Sequence, residues 1–237
     1  MRPARRAAPG ARRPGPRRSS GLTLVELLVG TALGLFIVST GLALLTSHLH
    51  DHRSLVLEAR LMQDLRAAGD AITRDLRRAG HWGGATTALW RPDTPVRANP
   101  YQAIAQTAGR SDTLQLSYSR DASENHALDD NEHFGVRLRN QGIDILLGDG
   151  NWQALTDPAT VIVTALEIRP EVHDVQVPCD LPCPPASPGA APCPPRLQVR
   201  QVAVTLSGRS PVDPRVQRTL QTSVRVRNDA VSGRCPG

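Results

Sequence analysis

Between Leu22 and Leu45 the chain runs for 24 residues, LTLVELLVGTALGLFIVSTGLALL, with a single charge at Glu26. As a helix rising 1.5 Å per residue this segment is about 36 Å long, enough to cross the hydrocarbon of a bilayer. A lone carboxylate in such a run costs roughly 2.5–3.5 kcal/mol on insertion scales, so it demands a reason. After Met1, residues 2–20 are only Arg, Pro, Ala, Gly and Ser, a composition with nothing to bury and read as disordered. Arginine ahead of the span and none behind it until Arg53 predict an amino end in the cytoplasm and an exported remainder.

This distribution also decides what the net charge of +6 means. All 28 basic residues are arginine, and seven of them (Arg2, Arg5, Arg6, Arg12, Arg13, Arg17, Arg18) fall in the first 21 residues, which contain no acid. Beyond that point 21 arginines face 22 acids, so the foldable part is nearly neutral. A nucleic-acid binder carries its positive charge on the folded domain, and this chain does not. At 3% aromatic residues it also lacks stacking platforms for single strands.

Ordinary targeting readings leave Glu26 unexplained. A secretory signal has a shorter apolar region followed by a small-x-small cleavage site, and LLTSHLH offers none. Arg17-Arg18 suits a twin-arginine address, but Ser-Ser-Gly-Leu follows in place of its apolar consensus. A plain signal anchor accounts for the length alone. The string Gly21-Leu22-Thr23-Leu24-Val25-Glu26-Leu27-Leu28-Val29, behind its basic leader, resembles the cleavage and methylation signal of type IV prepilins. The resemblance implies that prepilin peptidase cuts after Gly21 and that the new amino group on Leu22 is N-methylated. It also implies that Glu26, fifth in the mature chain, meets the amino terminus of a neighbouring subunit. A carboxylate in hydrocarbon needs a partner of opposite sign, and assembly supplies one. The usual first mature residue is Phe, where Leu22 stands here.

Beyond the span, Leu55, Leu61, Met62, Leu65, Ala68, Ile72, Leu76 and Ala79 recur at three- and four-residue spacing, the period of an amphipathic helix. No proline lies between Pro16 and Pro92, so one helix from Leu22 to Ala79 is permitted, about 87 Å long. Asp70 and Arg74 form an i,i+4 pair, Arg77 and Arg78 suit the last turn, and Gly80 suits a left-handed cap. Gly30 and Gly34 make a GxxxG helix-packing element, a weak signal when it stands alone. His48, His50 and His52 alternate near the expected membrane surface; only His48 and His52 share a helical face, short of the ligands a metal needs. The stem's end, RAAGDAITRDLRRAGHWGG over 66–84, is similar to the PilW-type minor pilins and to the related J-type pseudopilins of type II secretion.

The rest of the chain alternates in short runs. Strands are expected over Thr113–Ser119, Phe134–Arg139, Ile143–Leu147, Trp152–Leu155, Val161–Ile168, Arg196–Ser207 and Arg215–Arg227, with turns at Asn140-Gln141-Gly142 and Gly148–Asn151. One long helix followed by consecutive strands predicts an α+β fold with an antiparallel head, the type IV pilin-like arrangement the resemblance implies. The segment 178–195 holds eight prolines and cannot sustain a strand ladder. It carries Cys179, Cys183 and Cys193, with Cys235 near the end of the chain. In an exported domain four cysteines read as two disulfides with three pairings open, here read as a small loop within the insertion plus a bridge to the tail. C-x3-C-x9-C without a nearby His departs from zinc spacing, so no metal is assigned.

No nucleophile elbow, P-loop or dinucleotide fingerprint occurs, so no catalytic residue and no cofactor are expected. The acids Asp121, Glu124, Asp129, Asp130 and Glu132 lack the spacing of a calcium loop and read as solvated. The expected organisation is a basic leader 1–21 removed on processing, a membrane and filament-core half-helix 22–47, an amphipathic stem 48–80 and a β-rich periplasmic head 81–237. The resemblance implies a minor pilin stored in the inner membrane and then incorporated at or near a pilus tip. Its implied partners are prepilin peptidase, other minor pilins, the major pilin and the inner-membrane assembly machinery. A J-type pseudopilin is the second reading. A signal-anchored periplasmic binding protein is the third, distinguished by keeping its leader.

Overall fold

The computed structural model describes residues 21–88, 97–185, 188–189 and 191–236. The leader expected over 1–21 lies outside them except for Gly21, and so do parts of the loop after the stem and of the Pro/Cys-rich insertion. The chain divides between Asp51 and His52 into two units.

α1 (Leu24–Arg78) is one continuous α-helix, two residues shorter at its start and one at its end than the sequence permits. It contains no proline, places Glu26 in its first turn and Arg77 and Arg78 in its last, and so complements the helix dipole at both ends. In the first unit every described side chain from Gly21 to Leu49 is exposed. The hydroxyls of Thr31, Ser39, Thr40 and Thr46 donate to carbonyls of their own helix (Leu28, Phe36, Phe36 and Ile37, and Ala43), at 2.9–3.1 Å. Each of these four hydroxyls is thereby satisfied inside the helix, as hydrocarbon requires. By length and composition the helix is compatible with a single-pass membrane anchor.

In the second unit the amphipathic half of α1 buries Leu61, Leu65, Ala68, Ile72, Leu76 and Ala79 in one cluster with two sheets. Full burial of each leucine or isoleucine is worth about 1.5–3 kcal/mol. Leu55, expected on this stripe, is 61% exposed, because the packed face begins with the half-buried Leu57 and the buried Leu61. Gly69 permits close contact: a β-carbon there would lie 2.7 Å from Cδ2 of Leu220.

The first sheet is an antiparallel run in chain order, β1 (Ile104–Ala105), β2 (Thr113–Ser117), β3 (His133–Arg139), β4 (Gly142–Leu147) and β5 (Trp152–Ala154). Asn140 and Gln141, both at positive φ (50° and 63°), make the tight β3–β4 turn. Tyr118 and Phe134 stack with ring centroids 3.8 Å apart, and the Arg78 guanidinium lies over Tyr118 at 4.3 Å, tying the stem's end to this sheet.

The second sheet is β6 (Ile162–Gln176), β7 (Arg196–Arg209) and β8 (Gln217–Arg225), with β9 (Ala230–Ser232) beside the start of β7. β6 runs eight residues past the expected strand, through Pro170, and pairs with β7 as far as Gln176–Arg196. Pro170 is tolerated because the N–H and carbonyl of Ile168, two residues earlier, point away from β7, to the Ser111 carbonyl and the Gln106 amide. Pro170 faces the same outer edge, where no ladder bond is lost. The Pro/Cys-rich insertion does not interrupt the sheet; it joins the ends of these two long strands. The fold is α+β, one long N-terminal helix followed by antiparallel sheets.

Candidate functional site

Gly21, Leu22 and Thr23 precede the first helical turn and are exposed, Leu22 by 78%. Thr23 then acts as the N-cap. Its hydroxyl oxygen accepts the Glu26 backbone N–H at 3.2 Å, its own N–H donates to Glu26 Oε2 at 3.1 Å, and its hydroxyl donates to the same oxygen at 3.1 Å. The Leu27 N–H to Thr23 carbonyl bond, 3.2 Å, closes the first turn. This is a reciprocal capping box, which satisfies N–H groups that have no partner within the helix. It gives the Glu26 carboxylate donors inside a single subunit, set against the positive end of the helix dipole. The sequence reading singled out Glu26 and Gly21 and missed Thr23. The T-x-x-E capping signature was present, overlaid by the cleavage signal that shares its residues.

Gly30 and Gly34 lie on one face of α1, eleven and seven residues ahead of Gly41 on the same side, and a β-carbon at any of the three would meet open space. They leave a flat strip on the helix. His48 and His52 are exposed on α1, and the side chain of His50 lies outside the described residues.

The acidic stretch is spent on the backbone. Glu132, fully buried, accepts the N–H groups of Arg120 (2.8 Å) and Asp129 (3.0 Å). Glu124 accepts the Gly83 and His126 N–H groups and the Tyr101 hydroxyl, at 2.9, 3.0 and 3.1 Å. Burial raises the Glu124 carboxyl, and donors from Gly83, Ser119, His126 and Tyr101 outweigh it, holding the group below its ordinary range. Asp121 and Asp129 bracket Asn125, accepting its backbone N–H (3.3 Å) and its side-chain amide (2.7 Å). These carboxylates organise the loop that meets the Trp82–Gly83 turn at the end of the stem.

The four cysteines pair as Cys179–Cys235 and Cys183–Cys193. Among the described residues the one group of three metal-ligating side chains that converges is Cys179, Cys183 and Cys193, all in these disulfides.

A family model described as PpdB, prepilin peptidase-dependent protein B, matches residues 54–226. No curated protein and no solved structure matches the chain.

Proposed function

The chain belongs to the PpdB family of prepilin peptidase-dependent proteins, and from that premise we propose that it is a minor pilin that takes part in type IV pilus assembly. One observation carries the reading. The matched residues 54–226 begin in the stem, whereas the prepilin-like signal spans 21–29, so two stretches that share no residue point to the same processing enzyme. The exposed, non-helical Gly21–Leu22 bond is suited to a peptidase that must bind an extended substrate. The apolar half of α1 holds the processed subunit in the inner membrane, with its head in the periplasm. It then enters a filament core, where apolar helix packing drives association and the flat strip of Gly30 and Gly34 allows close approach. Glu26 exchanges its capping donors on Thr23 for the N-methylated amino group of Leu22 on a neighbouring subunit. The chain is a minor pilin of PilW type whose head joins other minor pilins near the pilus tip, and the protein works as an assembly subunit rather than a catalyst.

The test is the intact mass and amino-terminal sequence of the protein made with and without active prepilin peptidase. A chain beginning at methylated Leu22 only when the peptidase is active supports the proposal. A chain that keeps its arginine leader in both strains overturns it and leaves a plain membrane anchor.

A further inference from the structure

The two disulfides are close enough to react with each other. β6 and β7 hold their ends together through Gln176–Arg196, and the Val177 N–H donates to the Pro195 carbonyl just beyond. Cys179 and Cys193 therefore leave the ladder at nearly the same level. The tail enters along β9, where the Arg234 N–H donates to the Pro192 carbonyl and brings in Cys235. As a result the sulfurs of Cys179, Cys183 and Cys193 all lie within 4.8 Å of one another, although Cys179 belongs to one bridge and the other two form the second. All four cysteines are half-buried, within reach of a small thiol.

We infer that Cys179 is an exchange point between the two bridges, so that release of the tail passes the free thiol on to Cys183 or Cys193 and leaves the insertion closed by a bond to Cys179. In the first step an external thiolate attacks the Cys235 sulfur. It forms a mixed disulfide there and expels Cys179 as a thiolate. In the second step the Cys179 thiolate attacks Cys183 or Cys193, the old bond between those two breaks, and the displaced sulfur leaves as a thiolate that takes a proton from water. One external thiol is consumed and two sulfur–sulfur bonds remain, one internal and one to that thiol. Cys179 sits beside the Cys183–Cys193 bridge rather than in line with it, since both sulfurs are within the same limit. The attack thus follows a turn of the freed side chain. An intramolecular thiolate held this close outcompetes a dilute external one. The insertion then has two covalent states, with the tail latched through Cys179–Cys235, or free with Cys179 bonded to Cys183 or Cys193.

The full-length Cys235→Ser chain tests this directly. It is folded under oxidising conditions, acid-quenched, alkylated and peptide-mapped. Independent bridges leave the free thiol on Cys179 alone, which overturns the inference; exchange divides the label among Cys179, Cys183 and Cys193. Should that variant fail to fold, the wild-type chain is treated under native conditions with limiting glutathione, then quenched and mapped. Glutathione on Cys235 with the alkyl label on Cys183 or Cys193 is the expected result. A label confined to Cys179, with Cys183–Cys193 intact, overturns it.

Discussion

The side-chain amide of Asn228 donates to the carbonyl of Ala79 at 3.0 Å, so a residue 149 positions later closes the end of α1. The same amide reaches the Arg78 carbonyl at 3.3 Å, the Arg227 N–H reaches the Arg77 carbonyl at 3.2 Å, and the Asn99 amide reaches the Gly80 carbonyl at 2.9 Å. The carbonyls that a helix end leaves without internal partners are taken up here by the head. Asn228→Ala removes two of these donors at once. A loss of about 1–2 kcal/mol is expected in denaturant unfolding, with an unchanged m-value. An unchanged midpoint would mean that water replaces the amide at no cost.

Gly80 has φ +72°, and a β-carbon on it would lie 2.7 Å from Nη2 of Arg200. That guanidinium is not free to yield, because it donates to the carbonyls of Gln102 and Asn228 at 2.5 and 2.6 Å. Gly80→Ala therefore combines left-handed strain of about 1–2 kcal/mol with displacement of a buried arginine. Its loss of stability is expected to exceed that of Asn228→Ala, measured by thermal unfolding of the two variants side by side.

Asp75 is half-buried, and burial raises its carboxyl above the ordinary value, against the opposing pull of Arg78 and Arg74. A raised folded-state pKa favours the protonated form, so this contribution is present in acid and lost as pH rises through the carboxylate range. Asp75→Asn is expected to be at least as stable as the wild type at neutral pH, by a few tenths of a kcal/mol at this exposure, and to lose stability more steeply than the wild type as pH falls through the carboxylate range, because the contribution that opposes acid destabilisation is gone. Denaturant midpoints between pH 3 and pH 7 check both.

Tyr118 is pushed up to about 12, chiefly by burial and then by the nearby Asp75, with Arg78 and Arg120 opposing. Tyr101 also moves up on burial. The neutral phenols are favoured in the fold, so stability holds below pH 10 and falls as pH rises above it. Phenolate absorbance is expected to lag behind that of the denatured chain and to develop together with unfolding. A normal titration near pH 10 in the folded protein would refute the burial argument.

At the other end of α1, Thr23→Val keeps the shape of the side chain and removes the hydroxyl of the capping box. A loss of about 1 kcal/mol at the helix start is expected, read as faster amide exchange at Leu24–Glu26 in the membrane-inserted protein. Glu26→Ala, in contrast, is expected to be processed normally and to be missing from sheared surface filaments on immunoblots. Normal incorporation of that variant would sink the proposed pairing in the filament core.

What was legible in the sequence follows burial. α1 was readable because its apolar period changes from continuous to three-and-four spaced, and β2, β3 and β4 because one face of each enters the core. The outer half of β6, RPEVHDVQ, alternates against nothing: its side chains beyond Pro170 are exposed, so no pattern marks it as a strand. β1 and β9 span two and three residues, too short for a period to appear. At the site, Gly21 and Glu26 stood out as a motif, whereas Asn228 and Arg200 act on partners far away in the chain. Glu132 shows the same limit, since it reads as one acid among several and is the fully buried one, because two backbone N–H groups turn toward it.

Pro170 has a consequence beyond fitting its strand. β6 is the outermost strand of its sheet, and past Ile168, whose outward backbone groups are taken by Ser111 and Gln106, its outer edge is of the kind on which a stray chain can polymerise. At Pro170 that edge offers a ring where an amide would stand, and Arg169, Glu171, His173 and Asp174 surround it with charged or titratable side chains. The proline interrupts recruitment through this edge, which matters for any subunit kept at high local concentration among others with similar sheets.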